Sequence, residues 1–216
     1  HRIYSVGLPS IIMQSVGSVM TFGMNQILIP FTTTAAAVFG IYFKLQSFVF
    51  LPLFGMNNGM VPIVAYNYGA RKPERIRSVF KYALTYGLLL MTAGTLIFEL
   101  APGVLLKIFA ASDHMLAIGM PALRIIALTF IPAAFGIVSS GVFQATGHGM
   151  FSLWQSLPRQ RVMLLPCAWL FSFTGNLDLV WLAFPISEMV SCMFSAFCLK
   201  WIFKHQIQPM EIQVNA

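Results

Sequence analysis

The sequence predicts an all-α integral membrane protein, built as a bundle of six transmembrane helices. The first observation is composition. Of the 216 residues, 58% are hydrophobic and only 9% are charged, whereas soluble domains carry about 25% charged residues. Mean hydropathy is +0.79. In a soluble protein the net charge of +7 would suggest nucleic acid as a partner, but in a membrane protein the basic residues of cytoplasmic loops explain it.

The second observation is the length of the apolar segments. A membrane helix needs about 20 apolar residues, and the sequence contains six segments that reach this length. We expect them at about 3–30, 36–68, 79–99, 117–145, 150–173 and 179–203. They form one transmembrane lobe over residues 1–205, followed by a tail over residues 206–216.

The third observation is the distribution of lysine and arginine, which sets orientation in a membrane. With the N-terminus in the cytoplasm, ten basic residues fall on the cytoplasmic side and three on the other side. The three are Lys44, Lys107 and Arg124. We therefore expect the N-terminus and the tail to be cytoplasmic, together with the basic turn that contains Arg71, Lys72, Arg75 and Arg77.

The stretch from Leu51 to Arg77 is the centre of the predicted organisation. Helix-perturbing residues interrupt its apolar run, at Pro52, Gly55, Gly59 and Pro62. Proline removes a helical donor, so we expect a kink here, with Asn58 inside it. Gly69 is expected to end the helix at the first position beyond it, and Pro73 to begin the next one. Pro132 and Gly136 predict a second kink in segment four.

Polar residues form stripes on the first two segments. Gln14, Ser18, Thr21 and Asn25 have helical spacing, and so do Lys44, Ser47, Gly55 and Asn58. Such side chains either form hydrogen bonds between membrane helices or line a cavity, and the spacing leaves both interpretations open. Lys44 either extends to the outer headgroups or faces the cavity as a cation.

Glu188 is the one acidic residue well inside an apolar segment. Ser191 and Ser195 share its helical face. A carboxylate in a membrane helix suggests a functional site with a basic partner, such as Lys44. The alternatives are a structural ion pair or a protonated, hydrogen-bonded acid.

Catalytic and metal-binding motifs are absent from the sequence. It contains no GxxxxGK[ST], HExxH, CxxC or dinucleotide-binding pattern, and its four histidines lie in predicted loops or tails. We therefore expect neither an enzyme nor a cofactor. Because the chain begins at His1 without a recognisable signal peptide, we expect it to be a fragment or a truncated product.

Three sets of residues resemble the multidrug and toxic compound extrusion (MATE) family, in the multidrug-efflux branch that includes staphylococcal and clostridial members. The central set is Pro52, Gly55, Gly59, Pro62, Asn67, Gly69 and Ala70, followed by the basic turn. The others are Gly7-Leu8-Pro9, and Ser156–Pro166 continued by Val180–Glu188. The resemblance covers essentially the whole chain but only the second half of such a transporter.

This resemblance implies the C-terminal lobe of a 12-helix drug exporter in a bacterial cell (inner) membrane. Such a protein exchanges organic, often cationic, compounds for H⁺ or Na⁺ by alternating access. The implied partners are the lipid bilayer, an N-terminal six-helix lobe and small drug-like substrates, without nucleic acid. The polar stripes would line the cavity and the kinks would be the bending points.

The sequence departs from the family in its acidic residues. Many members carry an acid in segment one or four of this lobe, whereas these segments contain no Asp or Glu here. The coupling ion is therefore expected to bind in the N-terminal lobe, with Glu188 as a weaker local candidate. Two rival functions remain: a flippase for a lipid-linked precursor, and a non-transporting remnant of a broken gene.

Overall fold

The computed structural model describes residues 17–157 and 163–210, and all regular secondary structure in these residues is helical. The first helix, α1, covers 17–28 of these residues. The others are α2 (Thr33–Gly69), α3 (Pro73–Leu100), α4 (Pro102–Lys107), α5 (Asp113–Ala127), α6 (Phe130–Ala145), α7 (Gly149–Leu157), α8 (Leu164–Ser172) and α9 (Leu177–Ile202). The predicted all-α fold class is confirmed.

Long apolar helices account for most of the described chain. Three of them are long and apolar enough to cross a membrane: Thr33–Gly69, Pro73–Leu100 and Leu177–Met210. The pair α5 and α6 makes a fourth if it is one bent span. The predicted segments 3–30 and 150–173 include residues outside the described ranges, so the count of six stays a prediction.

Helix α2 is continuous through the section where a kink was expected. Pro52 and Pro62 both lie inside it and are exposed. Since proline has no N–H, the carbonyls left without a helical donor are those of Phe48 and Asn58. Both of these residues are also exposed, so the prolines lie on the side of α2 that faces away from the packed core.

The predicted role of Gly69 is wrong by two positions. Gly69 is the last residue of α2 and Ala70 caps it, while the left-handed conformation falls on Arg71, with φ of +52°. The N–H of Lys72 donates to the carbonyl of Asn67 at 2.9 Å, which closes the helix end as a left-handed residue requires. Pro73 occupies the first turn of α3, as predicted.

The bend in the fourth segment lies before the predicted kink at Pro132 and Gly136. Helices α5 and α6 meet at an angle of 45° across the break at Leu128 and Thr129. Pro132 cannot donate to the carbonyl of Leu128, one turn earlier, so the helix breaks at the acceptor and not at the proline. In α6 the proline then falls in the first turn, where an N–H has no helical partner.

Helix α6 is central in the core, where α2, α3, α7 and α9 pack around it. Its buried face includes Phe130, Val138 and Phe143. Glycine permits the closest approaches. A Cβ on Gly141 would overlap the side chain of Asn57 of α2, so the missing side chain at Gly141 lets Asn57 reach the backbone of α6.

The end of α9 extends beyond the predicted boundary. The helix continues through a π-helical turn at Phe203–Ile207 to Met210. The hydroxyl of Tyr68 donates to Oε1 of Gln206 at 2.9 Å, which ties this extension to the end of α2. Residues 211–216 of the predicted tail lie outside the described residues.

Candidate functional site

A cavity of about 270 Å³ opens between α1, α2 and α9. Aromatic rings and one carboxylate distinguish its lining, contributed by Tyr42, Phe43, Phe50, Phe54, Phe184 and Glu188. Aromatic faces attract cations, and a carboxyl group adds a full negative charge when it is ionised. The cavity therefore has the chemistry to bind an apolar molecule that carries a positive charge.

Glu188 lies near the middle of α9, about 17 Å along the helix axis from Leu177. It is only 4% exposed. Its Oε1 lies 4.0 Å from the position that a Cβ on Gly136 would occupy, and Nε2 of Gln155 lies 2.9 Å from the same point. The missing side chain at Gly136 thus lets polar groups of α7 and α9 approach the backbone of α6.

Gln155 is a member of the site that sequence reasoning missed. It is 4% exposed, and its Nε2 donates to the carbonyl of Gly136 at 2.9 Å. Its position in a short apolar helix, α7, was the available signal. That signal is weak because one amide in an apolar helix does not reveal which neighbour it faces.

Polar side chains continue from Gly136 and Glu188 at helical spacing along α6 and α9. Two polar side chains of α7, Ser152 and Gln155, contact α6. We call this set the polar seam. Ser140 of α6 and Ser152 of α7 are hydrogen-bonded to each other, and Nε2 of Gln144 donates to Oγ of Ser152 at 3.2 Å. The members of the seam are Gly136, Ser139, Ser140 and Gln144 of α6, Ser152 and Gln155 of α7, and Glu188, Ser191 and Ser195 of α9.

Lys44 is separate from this site. It is exposed, and its Nζ lies 5.9 Å from the centroid of the Phe109 ring, in the connection between α4 and α5. Among the described residues, Lys44 and Glu188 form no ion pair. The position over Phe109 favours the interpretation that Lys44 extends toward the headgroups.

The polar stripe of α1 does not face the packed core. Ser18 is exposed and Asn25 is half-buried, while the hydroxyl of Thr21 donates to the carbonyl of Gly17 in the same helix at 3.0 Å. The buried face of α1 consists of Met20, Met24 and Leu28. This placement favours a cavity-lining role over hydrogen bonds between helices. Gln14, Gly7-Leu8-Pro9 and residues 158–162 of the third motif lie outside the described residues.

The predicted polar face of α2 exists as a continuous exposed surface, formed by Lys44, Ser47, Gly55 and Asn58. No atom lies within 4 Å of a Cβ added at Gly55 or Gly59. The neighbouring Asn57 is buried instead and packs against Gly141. Asn67 of the motif is also buried, and its Nδ2 donates to the carbonyl of Ile63 at 2.8 Å.

The described residues contain no group of three or more His, Cys, Asp or Glu side chains able to hold a metal ion. Of the described residues that line the cavity between α1, α2 and α9, Glu188 is the one acid.

Comparison with known proteins identifies a family. The MatE family model matches residues 9–170. The multidrug export protein MepA of Staphylococcus haemolyticus is 22% identical over 96% of this chain, and that of Staphylococcus saprophyticus is 24% identical over 95%. In both cases the match covers 45% of the relative, so the chain spans about half the length of the curated relatives that it matches.

Solved structures agree with the fold. A MATE transporter in its bent conformation superposes with a TM-score of 0.87 at 24% identity, over 99% of this chain and 47% of that one. A multidrug resistance MATE transporter of the MOP superfamily, in an outward-facing conformation, gives a TM-score of 0.83 at 25% identity, over 97% of this chain and 47% of that one. Members of this family are membrane transporters and not enzymes. The chain belongs to the MatE family and forms one all-α lobe of that transporter fold.

Proposed function

We propose that this chain is the C-terminal lobe of a secondary-active multidrug exporter, which antiports organic, often cationic, compounds against H⁺ or Na⁺ by alternating access. The MepA relatives are multidrug export proteins, and MATE structures with this fold occur in inward-facing and outward-facing conformations. These findings support the proposal, and the properties of the aromatic cavity carry it.

The cavity suits half of a binding site for a lipophilic cation. Its volume of about 270 Å³ is just below the roughly 300–1,000 Å³ of typical small-molecule sites. A second lobe across the opening would complete it. A cation over an aromatic face gains about 0.5–2 kcal/mol, and the Glu188 carboxylate favours positive charge, so the site would select for cationic aromatic compounds.

The exposed face of α2 supports a partner lobe opposite this cavity. Phe48 and Leu51 on α2 are 77% and 65% exposed, and Lys44, Ser47 and Asn58 are exposed near them. Polar side chains in a membrane helix seldom face lipid, because they lose hydrogen bonds there. We place the N-terminal six-helix lobe of the same transporter opposite this face.

The coupling ion has few candidate ligands in this chain. Segments one and four carry no Asp or Glu, so we place the main ion site in the N-terminal lobe and keep Glu188 as the local candidate. The concentration of basic residues in the turn between α2 and α3 supports an orientation with this turn and both termini in the cytoplasm. The staphylococcal relatives support a bacterial inner membrane as the location.

Dye efflux from cells tests the function. We would express this chain alone and together with the presumed N-terminal half, with and without a protonophore. Export that needs both halves and stops with the protonophore supports a proton-coupled exporter. Export that needs both halves and persists with the protonophore, but requires a sodium gradient, supports Na⁺ coupling.

Glu188→Gln in the two-lobe protein tests the site. Loss of a charged partner weakens an interaction by about 1.5–3 kcal/mol, so we expect export of cationic dyes to fall roughly tenfold or more, with unchanged amounts of folded protein. Glu99→Gln, at the end of α3, is the matched control and should export normally. If Glu188→Gln exports as well as the control, Glu188 is a structural residue.

Failure of export in every combination, with both halves folded in the membrane, would overturn the multidrug proposal. It would favour the remnant, or a lipid-linked substrate that dyes do not report.

A further inference from the structure

Three buried polar atoms of the polar seam have no hydrogen-bond partner within residues 17–157 and 163–210. They are Oγ of Ser139, Oγ of Ser191 and Oε1 of Gln155, and their residues are 0%, 1% and 4% exposed. More than nine in ten buried polar groups of native proteins are paired, often through ordered water. A membrane interior supplies no water from the lipid side, so an internal occupant must satisfy them.

Reversing the orientation of the Gln155 amide would not give its Oε1 a hydrogen-bond donor. Its Nε2 donates to the carbonyl of Gly136 at 2.9 Å. Rotating the amide by half a turn would place Oε1 against that carbonyl, so that two acceptors would face each other. Oε1 therefore needs a donor from elsewhere, and a hydroxyl or a water molecule can supply it.

The unpaired hydroxyls lie at one level of the bundle. Gly136 and Glu188 approach each other at one level, and the rings of His148 and Trp201 lie 5.8 Å apart at another. From the first level to the second, the chain advances from Gly136 to His148, just past the end of α6, and from Glu188 to Trp201 in α9. Both advances have the same direction and nearly the same length, so α6 and α9 run parallel. Ser139 and Ser191 each follow one turn after the first level, so they lie on the same side of Glu188.

Helix α7 runs in the opposite direction and brings its own hydroxyl to this level. Ser152 lies one turn before Gln155, and it contacts Ser140 and Gln144. Gln144 is exposed, so the row of polar groups runs from the buried carboxylate to the surface of the bundle.

We propose that the polar seam holds a chain of ordered water molecules, which completes the hydrogen bonds of Ser139, Gln155 and Ser191 and connects Glu188 to the surface at Gln144. Buried waters typically make two to four hydrogen bonds, and the oxygens named here supply that number. The chain gives the Glu188 carboxyl a route for proton exchange separate from the aromatic cavity. Other titratable side chains near this route are Cys192 and Cys198 of α9, His148 after α6 and Tyr42 at the cavity. The route for proton exchange rests on the role proposed for Glu188, whereas the chain of water molecules does not.

Hydroxyl-radical footprinting of the purified full chain in detergent measures the water directly, without any export. Radicals form from water in place and oxidise the nearest sulfur. Cys198 is 4% exposed and continues the helical face of Ser191 and Ser195. Met91 of α3 is 0% exposed and lies in an apolar environment. We expect the oxidation rate of Cys198, divided by that of Met91 as an internal standard, to fall several-fold when Ser139→Val and Ser191→Val fill the seam. An unchanged ratio in the filled variant overturns the proposal.

Alanine substitution gives a second test, through the sign of its effect. If water bonds these hydroxyls, Ser139→Ala and Ser191→Ala should each lower the midpoint of thermal unfolding by about 2–6 °C. In a dry seam both changes would remove an unpaired group and raise the midpoint. The control is Ser78→Ala, an exposed serine bonded within its own helix, which should change little. A midpoint of thermal unfolding that is higher in Na⁺ than in K⁺, with the difference absent in both variants, would also overturn the proposal. The occupant of the seam would then be a metal cation.

Discussion

The contact between α2 and α6 is the most demanding packing feature of the fold, and Gly141→Ala tests it. A Cβ at Gly141 would overlap Oδ1 of Asn57 and would lie 2.6 Å from Cε of Met60 and 3.0 Å from Cγ of Asn57. The methionine methyl can move, but the Asn57 amide is buried on the opposing helix. The helices must therefore separate or the amide must leave its position.

The magnitude follows from two opposing terms. Overpacking of this kind costs about 1–3 kcal/mol, while replacing a helical glycine by alanine gains about 1 kcal/mol. Gly55→Ala of α2 is the matched control, because no atom lies within 4 Å of its added Cβ and it keeps only the gain. The two variants should therefore differ by about 1–3 kcal/mol, or about 2–12 °C in the unfolding midpoint.

A thiol-reactive fluorophore provides the assay, since Cys198 is buried and Cys167 and Cys192 are half-buried until the chain unfolds. In the double variant Asn57→Ala with Gly141→Ala, removal of the blocking amide should restore most of the loss. If Gly141→Ala is as stable as Gly55→Ala, the two helices are not in close contact and the packing described here is wrong.

Two further predictions concern the turn between α2 and α3. Arg71 has φ of +52°, a left-handed conformation that destabilises the fold by about 1–2 kcal/mol for a residue with a Cβ. Glycine avoids this strain, but its extra freedom in the unfolded chain lowers the free energy of unfolding by about 0.5–1 kcal/mol. Arg71→Gly should therefore raise the unfolding midpoint by a few degrees. An equal rise in Arg71→Ala would instead assign the effect to charge. For the orientation, Lys72→Cys in a chain whose three native cysteines are replaced by alanine should react with a membrane-impermeant maleimide only after the cells are permeabilised. Reaction in intact cells would place this turn outside and reverse the topology.

The local residues determined the fold class and the start of α3. Long apolar runs with few charges require a membrane helix whatever their neighbours are, so the class followed from composition. Pro73 could be placed at the start of α3 because its missing N–H is tolerated only in a first turn.

The residues at which helices end were harder to predict, because several adjacent residues can each form the closing hydrogen bonds. The sequence offers Gly69 as the end of α2, yet the closing hydrogen bond from Lys72 to Asn67 places the left-handed residue at Arg71. The bend after α5 occurs at the acceptor that Pro132 leaves unpaired and not at Pro132 itself. In both cases the hydrogen-bond pattern over several residues decides the geometry, and a single residue type only narrows the choice.

The candidate site shows the same division. Glu188 could be selected from the sequence because a carboxylate in an apolar helix is costly wherever it lies. Its surroundings could not, since Gln155 and Gly136 come from other helices and only their packing brings them together. Likewise, the sequence shows two adjacent asparagines in α2, but only the tertiary structure decides that Asn57 faces α6 and Asn58 faces outward, because helix rotation is set by the partners against which a helix packs.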